Sequence, residues 1–219
     1  MDAKDLDMLG ELGEEFFARD PREVAPGLLG AVLVCRKGGA TVAGRIVEAE
    51  AYLGADDPGS HASTKGITLR NAVMYGPPGH LYVYFTYGSH HMLNIVCEPH
   101  ETAGAVLIRA LEPLLGIEEM RHRRGKKSLL ELCNGPGKLA EALGLDLSDN
   151  GSRLGRGPVR ILAGSPVTER VAVSGRVGLS VGHELHLRYF LEGNTHVSKG
   201  RTGPARSRRR TETGRDGPK

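Results

Sequence analysis

Across RIVEAEAYLG, residues 45–54, apolar and polar positions alternate with period two, so a strand there places Val47, Ala49, Ala51 and Leu53 on one face and Glu48, Glu50 and Tyr52 on the other. The first face predicts core. The second lines up two carboxylates and a phenol among small residues. Strand patterning recurs in AVLVCRKG, which a Gly38-Gly39 turn joins to the long ATVAGRIVEAEAYL, and in LYVYFTYGSHHMLNIVC, which reads as a hairpin turning at Gly88 and Ser89. GAVLIRAL, VRIL, RVGL and ELHLRYFL predict further strands. GEEFFARDPREVAPGLLG predicts two short helices broken by Pro21 and ended near residues 27–30. PLLGIEEMRHRR predicts one helix, and NGPGKLAEALGL another with Pro136 in its first turn and Gly144 near its end. Residues 54–80 read as loop with a short helical turn at RNAVMY. Hairpins and helices without a βαβ rhythm predict one α+β domain with a largely antiparallel sheet.

Composition narrows the function classes. The 219 residues suit one domain able to bury its own core. No apolar run approaches the roughly 20 residues of a membrane span, and the first residues are acidic where a secretory signal is basic, so a cytoplasmic protein is expected, associated with the nucleoid in a bacterium. Cys35, Cys97 and Cys133 lie far apart among apolar neighbours without a CxxC pair, which predicts buried thiols rather than a metal or redox site. The formal charge of +3 is misleading, because residues 199–219 hold eight Lys or Arg against two acids, which is +6 and leaves −3 on residues 1–198. Residues 1–198 are therefore expected to form the domain, and 199–219 a basic tail too poor in apolar residues to order itself. Within the domain, Arg121, Arg123, Arg124, Lys126 and Lys127 cluster as candidate phosphate contacts or as a solvated helix end.

The aromatics are unevenly placed. There is no Trp, and five of the six tyrosines, Tyr52, Tyr75, Tyr82, Tyr84 and Tyr87, fall within residues 52–87. Period two puts Tyr82 and Tyr84 on one face of their strand and Leu81, Val83 and Phe85 on the core face. A single tyrosine suits any half-buried sheet surface, but several beside a carboxylate suggest a flat-walled cleft for a flat ligand such as a base.

EAEAYLG followed by His61, then RNAVMYGPPGHLYVYFTYG, LNIV, AVLIRALEP and NGPGKLAEALG together resemble the alkyladenine (3-methyladenine) DNA glycosylases over roughly residues 14–198. The resemblance implies a single mixed domain with a curved sheet, a protruding hairpin and surrounding helices. It implies a cofactor-free monomer acting on duplex DNA that contains damaged purines. In the family the motif's second glutamate activates water, which falls on Glu50. The base pocket falls on Tyr52, His61, Tyr84 and Asn94, the residue filling the gap in the base stack on Tyr87, and a residue near the target phosphate on Arg109. Leu69, Ser89, Thr195 and His196 depart from the family pattern, and His196 falls in the segment expected at the pocket's far wall.

Rival chemistries fit less well. A sugar glycosidase pairing Glu48 with Glu50 would need carboxylates flanking its bond, whereas residues two apart on a strand sit about 6.6 Å apart and point the same way. Glu48 is expected instead to pair with an arginine such as Arg45 or Arg70. His90 and His91 are adjacent, and His183 and His186 fall on opposite faces of a strand, so no metal site is expected. GPGK lacks the remainder of a P-loop. A silent nucleic-acid binder has no use for a carboxylate facing a polyanion, and no lysine near Glu50 offers an amine nucleophile.

Overall fold

The computed structural model describes residues 3–63, 67–86, 88–125 and 128–200. Helices α1 (Ala3–Asp7), α2 (Glu14–Phe17) and α3 (Pro21–Gly27) lead into strands β1 (Val32–Lys37) and β2 (Ala40–Tyr52). Strands β3 (Leu81–Thr86), β4 (His90–Val96) and β5 (Ala105–Leu115) precede α4 (Ile117–Arg124), α5 (Leu129–Leu132) and α6 (Pro136–Leu143), and β6 (Val159–Leu162), β7 (Val171–Ser174) and β8 (Arg188–Leu191) complete the sheet. The main strand order is β3-β4-β5-β2-β1-β6, and the β7–β8 pair joins through β8 to β2. Each pairing among these strands is antiparallel, and the sheet curls into a half-barrel within one α+β domain.

Strand β2 organises the sheet because it is long enough to be shared. Its first half lies between β1 and β5, and Glu48, Ala49 and Glu50 lie between β8 and β5. Val47, Ala49 and Ala51 are fully buried against Leu81, Val83, Leu93, Ile95 and Ile108, as the alternation predicts. Helix α6 covers this core with Leu139 and Leu143, each fully buried and each contributing roughly 1.5–3 kcal/mol by leaving water. The helix lies close to β4 at Gly137, where a Cβ would come within 2.8 Å of the His90 ring. Pro136 opens it without wasting an amide, and Gly144, with φ of 72°, ends it.

Four expectations are corrected. PLL belongs to β5, and the helix begins only at Ile117, because Gly116 turns the chain at φ 71° with Thr41 O 2.5 Å from where a Cβ would stand. Phe85 leaves the core face and is 44% exposed: β4 pairs with β5 only at Asn94–Val96, so the outer half of the β3–β4 hairpin protrudes beyond the sheet. RVGL is not a strand; VAVS just before it pairs with β8 instead. Only Arg188–Leu191 of ELHLRYFL is extended in the sheet, so His183 and His186 lie in the preceding loop.

All three cysteines are free and buried, and burial pushes their thiols up, Cys35 to about 11 and Cys133 to about 12. The arginines of the basic cluster meet carboxylates, Arg121 with Glu118, Arg123 with Glu119 and Arg124 with Glu141. They are a helix-end ion-pair set. Lys126, Lys127, Tyr87 and residues 201–219 lie outside the described residues.

Candidate active site

Two irregularities between β2 and β5 aim the site. Between the pairs Ile46/Leu111 and Glu48/Ala110, β2 carries one extra residue, Val47; between Glu48/Ala110 and Ala49/Ile108, β5 carries one extra residue, Arg109. A bulge re-aims its side chain and bends the strand. Arg109 thereby lies along the row of carboxylates, with Nε 2.9 Å from Glu48 Oε1, Nη1 3.2 Å from Glu50 Oε2 and Nη2 3.3 Å from Ser198 Oγ.

Glu50 is fully buried and accepts three hydrogen bonds: from the Tyr52 hydroxyl at 3.0 Å, from Arg109, and on Oε1 from the Val177 amide at 2.7 Å. All three partners donate, which suits a carboxylate and not its acid. Burial, then the Glu50 charge, raise the Tyr52 phenol well above its usual range, so it keeps the proton it donates. Glu48 is also fully buried, but its donors are Arg109, Arg188 Nε at 2.6 Å, and both the amide and hydroxyl of Ser198 at 2.7 and 2.8 Å. The expected partners Arg45 and Arg70 are elsewhere. Arg45 chelates Glu169 at 2.7 Å, and Arg70 sits 5.0 Å over the Tyr84 ring, because the bulged Arg109 and the Arg188 of neighbouring β8 face Glu48 directly.

In front of the carboxylates lies a cleft of about 280 Å³. Tyr52, His61, Tyr84, Asn94 and Arg109 line it together with Tyr82. The Tyr82 and Tyr84 rings are 5.2 Å apart and tilted by 36°, and the His61 ring stands edge-on to Tyr84 at 4.7 Å. His61 Nδ1 is 2.9 Å from the Tyr82 hydroxyl. Burial, then the Arg70 charge, hold the His61 imidazole below its usual pKa, so it is neutral at pH 7. Asn94 is buried and donates its side-chain amide to Tyr82 O at 3.1 Å. The Arg176 guanidinium backs the Tyr52 ring at 4.6 Å and is itself gripped by both oxygens of Asp57 at 2.6 Å.

Six of the seven site residues expected from sequence converge here; the seventh, Tyr87, lies outside the described residues. Glu50 does not border the cleft. It lies immediately behind Tyr52, Arg109 and Val177, which do. The far wall is Val177, Gly178 and Leu179, from the segment expected as a strand, while His196 is buried without lining the cleft. Asp57 and Arg176, 119 residues apart, carry no spacing signal that could have paired them. Among the described residues no cluster of His, Cys, Asp or Glu could hold a metal ion, and no helix is long and apolar enough to cross a membrane.

A buried carboxylate lies directly behind a cleft walled by tyrosines, an arrangement that suits a hydrolase acting on a flat ring. The family profile of methylpurine-DNA glycosylases (MPG) matches residues 15–195. A protein of Chlorobaculum parvum, provisionally named a 3-methyladenine DNA glycosylase, is 47% identical over 201 residues, covering 90% of this chain and 95% of its own. One of Koribacter versatilis with the same name is 46% identical over 203 residues, covering 90% and 98%. The chain belongs to the methylpurine-DNA glycosylase family and is a hydrolytic DNA glycosylase for alkylated bases.

Proposed function

We propose that the enzyme flips an alkylated purine out of duplex DNA into the cleft and hydrolyses its N-glycosidic bond with a water activated by Glu50, leaving an abasic site. The observation that carries this reading is the triply hydrogen-bonded Glu50 lying one layer behind an aromatic cleft. Extrusion costs a few kcal/mol of stacking and pairing. Tyr52 and Tyr84 return on the order of 1–3 kcal/mol by stacking the base, with His61 at its edge and Asn94 crowding the amino group of a normal guanine. Tyr87, which the sequence places between β3 and β4, is assigned to the vacated stack.

Positive charge builds on the sugar as the bond breaks, and the Glu50 carboxylate stabilises that charge while taking a proton from water entering between Arg109 and Val177. Arg109 offers its remaining donors to the target phosphate. Among the described residues no lysine lines the cleft, which supports water as nucleophile and excision without strand cleavage. A neutral His61 is a poor acid, so alkylated purines, which leave already charged, are the favoured substrates and a neutral base such as hypoxanthine is slow.

The test is incubation with duplexes bearing 3-methyladenine, 7-methylguanine, hypoxanthine or ethenoadenine, scoring abasic sites after alkali. Cationic lesions should be released fastest, and a failure to release any purine lesion overturns the reading. The tail is tested separately. Ending the chain at Ser198, which keeps the bonds to Glu48, should weaken binding to any DNA and flatten its salt dependence, because fewer counterions are released. Single-turnover excision at saturating enzyme should stay within about twofold, since every proposed site residue precedes residue 199. Normal binding with lost excision would place the tail in the site.

A further inference from the structure

The Glu48 carboxylate lies beyond the cleft lining and takes no part in the proposed reaction, yet it accepts more hydrogen bonds than Glu50 does. It accepts four hydrogen bonds: two from arginines of different strands, Arg109 on β5 and Arg188 on β8, and two from Ser198. A carboxylate with no exposure is costly to bury, and replacing such an ion-pair group as a whole by packed apolar side chains is often neutral for stability. Its surroundings give it a different task. Arg109 borders two open spaces at once, the base cleft and a second cavity of about 840 Å³ beyond it, which Lys138, Thr195 and Ser198 also line. A guanidinium between two cavities has room to swing into either. Besides the Nη1 bond to Glu50, the Nε bond to Glu48 and the contact with Ser198, itself fastened to Glu48, oppose that motion.

We propose that Glu48 is a positioning residue, which clamps Arg109 against Glu50 and ties the chain at Ser198 into the active site, so that excision depends on a side chain that touches neither base nor water. The inference rests on Glu50 being the base. Arg109 holds Glu50 Oε2 on one side while Tyr52 and Val177 hold the others. If Arg109 shifts by an ångström, the carboxylate loses its aim at the sugar, a misplacement that can cost on the order of 100-fold in rate.

The experiment is a double-mutant cycle in the full chain, read by single-turnover excision of 7-methylguanine from duplex DNA at saturating enzyme. Glu48→Gln should slow excision by about tenfold or more in the native background, yet by no more than about twofold in the Glu50→Gln background, where there is no base left to aim. Equal factors in the two backgrounds would make Glu48 merely structural and overturn the proposal. Ser198→Ala, which removes the shared hydroxyl but keeps the amide donor, should slow excision severalfold with an unchanged melting temperature, and Ser198→Thr should restore it. Should Glu48→Gln fail to fold, this pair decides, and native excision by Ser198→Ala overturns the clamp. An inactive Glu50→Gln beside a fully active Glu48→Gln refutes the clamp alone, whereas a fully active Glu50→Gln refutes the base assignment and the clamp with it.

Discussion

Glu50→Gln is expected to bind lesion-containing duplex as the native enzyme does and to excise at least about 100-fold more slowly, the loss typical when a general base is removed. The substitution preserves shape but not hydrogen-bond polarity. Oε1 faces the Val177 amide and Oε2 faces the Tyr52 hydroxyl and Arg109, all donors, so either orientation of the new amide turns an NH2 group toward a donor. That mismatch costs roughly 1–3 kcal/mol of stability. A melting curve must therefore accompany the assay. With the fold intact, binding measured by titration and excision by single turnover should separate cleanly, because the stacking walls Tyr52, His61 and Tyr84 remain. Excision within a few-fold of native would move the proton-accepting role away from Glu50.

The alternation in RIVEAEAYLG was enough to place Val47, Ala49 and Ala51 in the core and the two glutamates on the opposite face, since one long strand dominates the sheet. Tyr82 and Tyr84 were legible for the same reason. Strand period does not report where a sheet ends, so Phe85, on the outer half of the hairpin, was misplaced. Nor does it report bulges. Arg109 owes its position to being the extra residue of β5, and sequence patterning has no marker for that, which is why Arg45 and Arg70 looked like equal partners for Glu48. The far wall was illegible for a third reason: Val177, Gly178 and Leu179 form a loop that takes its shape from Arg176, held by an aspartate 119 residues earlier. Local signals recover elements, whereas the carboxylate environment comes from contacts between β2, β5, β8 and that loop.

That last contact carries the largest stability effect expected for this protein. Asp57 and Arg176 are both completely buried, and they meet through two hydrogen bonds of 2.6 Å each. Asp57 also accepts the amides of Leu53 and Gly59, so one carboxylate fixes the loop leaving β2 and the arginine behind Tyr52. Asp57→Ala strands a buried guanidinium without a counter-charge, which costs about 3–5 kcal/mol. For a chain of this size, each kcal/mol lowers the melting temperature by roughly 2–4 °C, so a fall of roughly 6–20 °C is expected. Chemical denaturation measures the loss directly, and a loss below about 1 kcal/mol would show that water or a neighbouring residue readily replaces the carboxylate. Replacing both partners by apolar groups, Asp57→Leu with Arg176→Met, should recover part of the stability, because no charge is then buried unpaired. It should not recover the rate. Tyr52 would lose the guanidinium behind its ring and, with it, the rigid wall against which the base stacks, so single-turnover excision should remain slow in a protein that melts close to native.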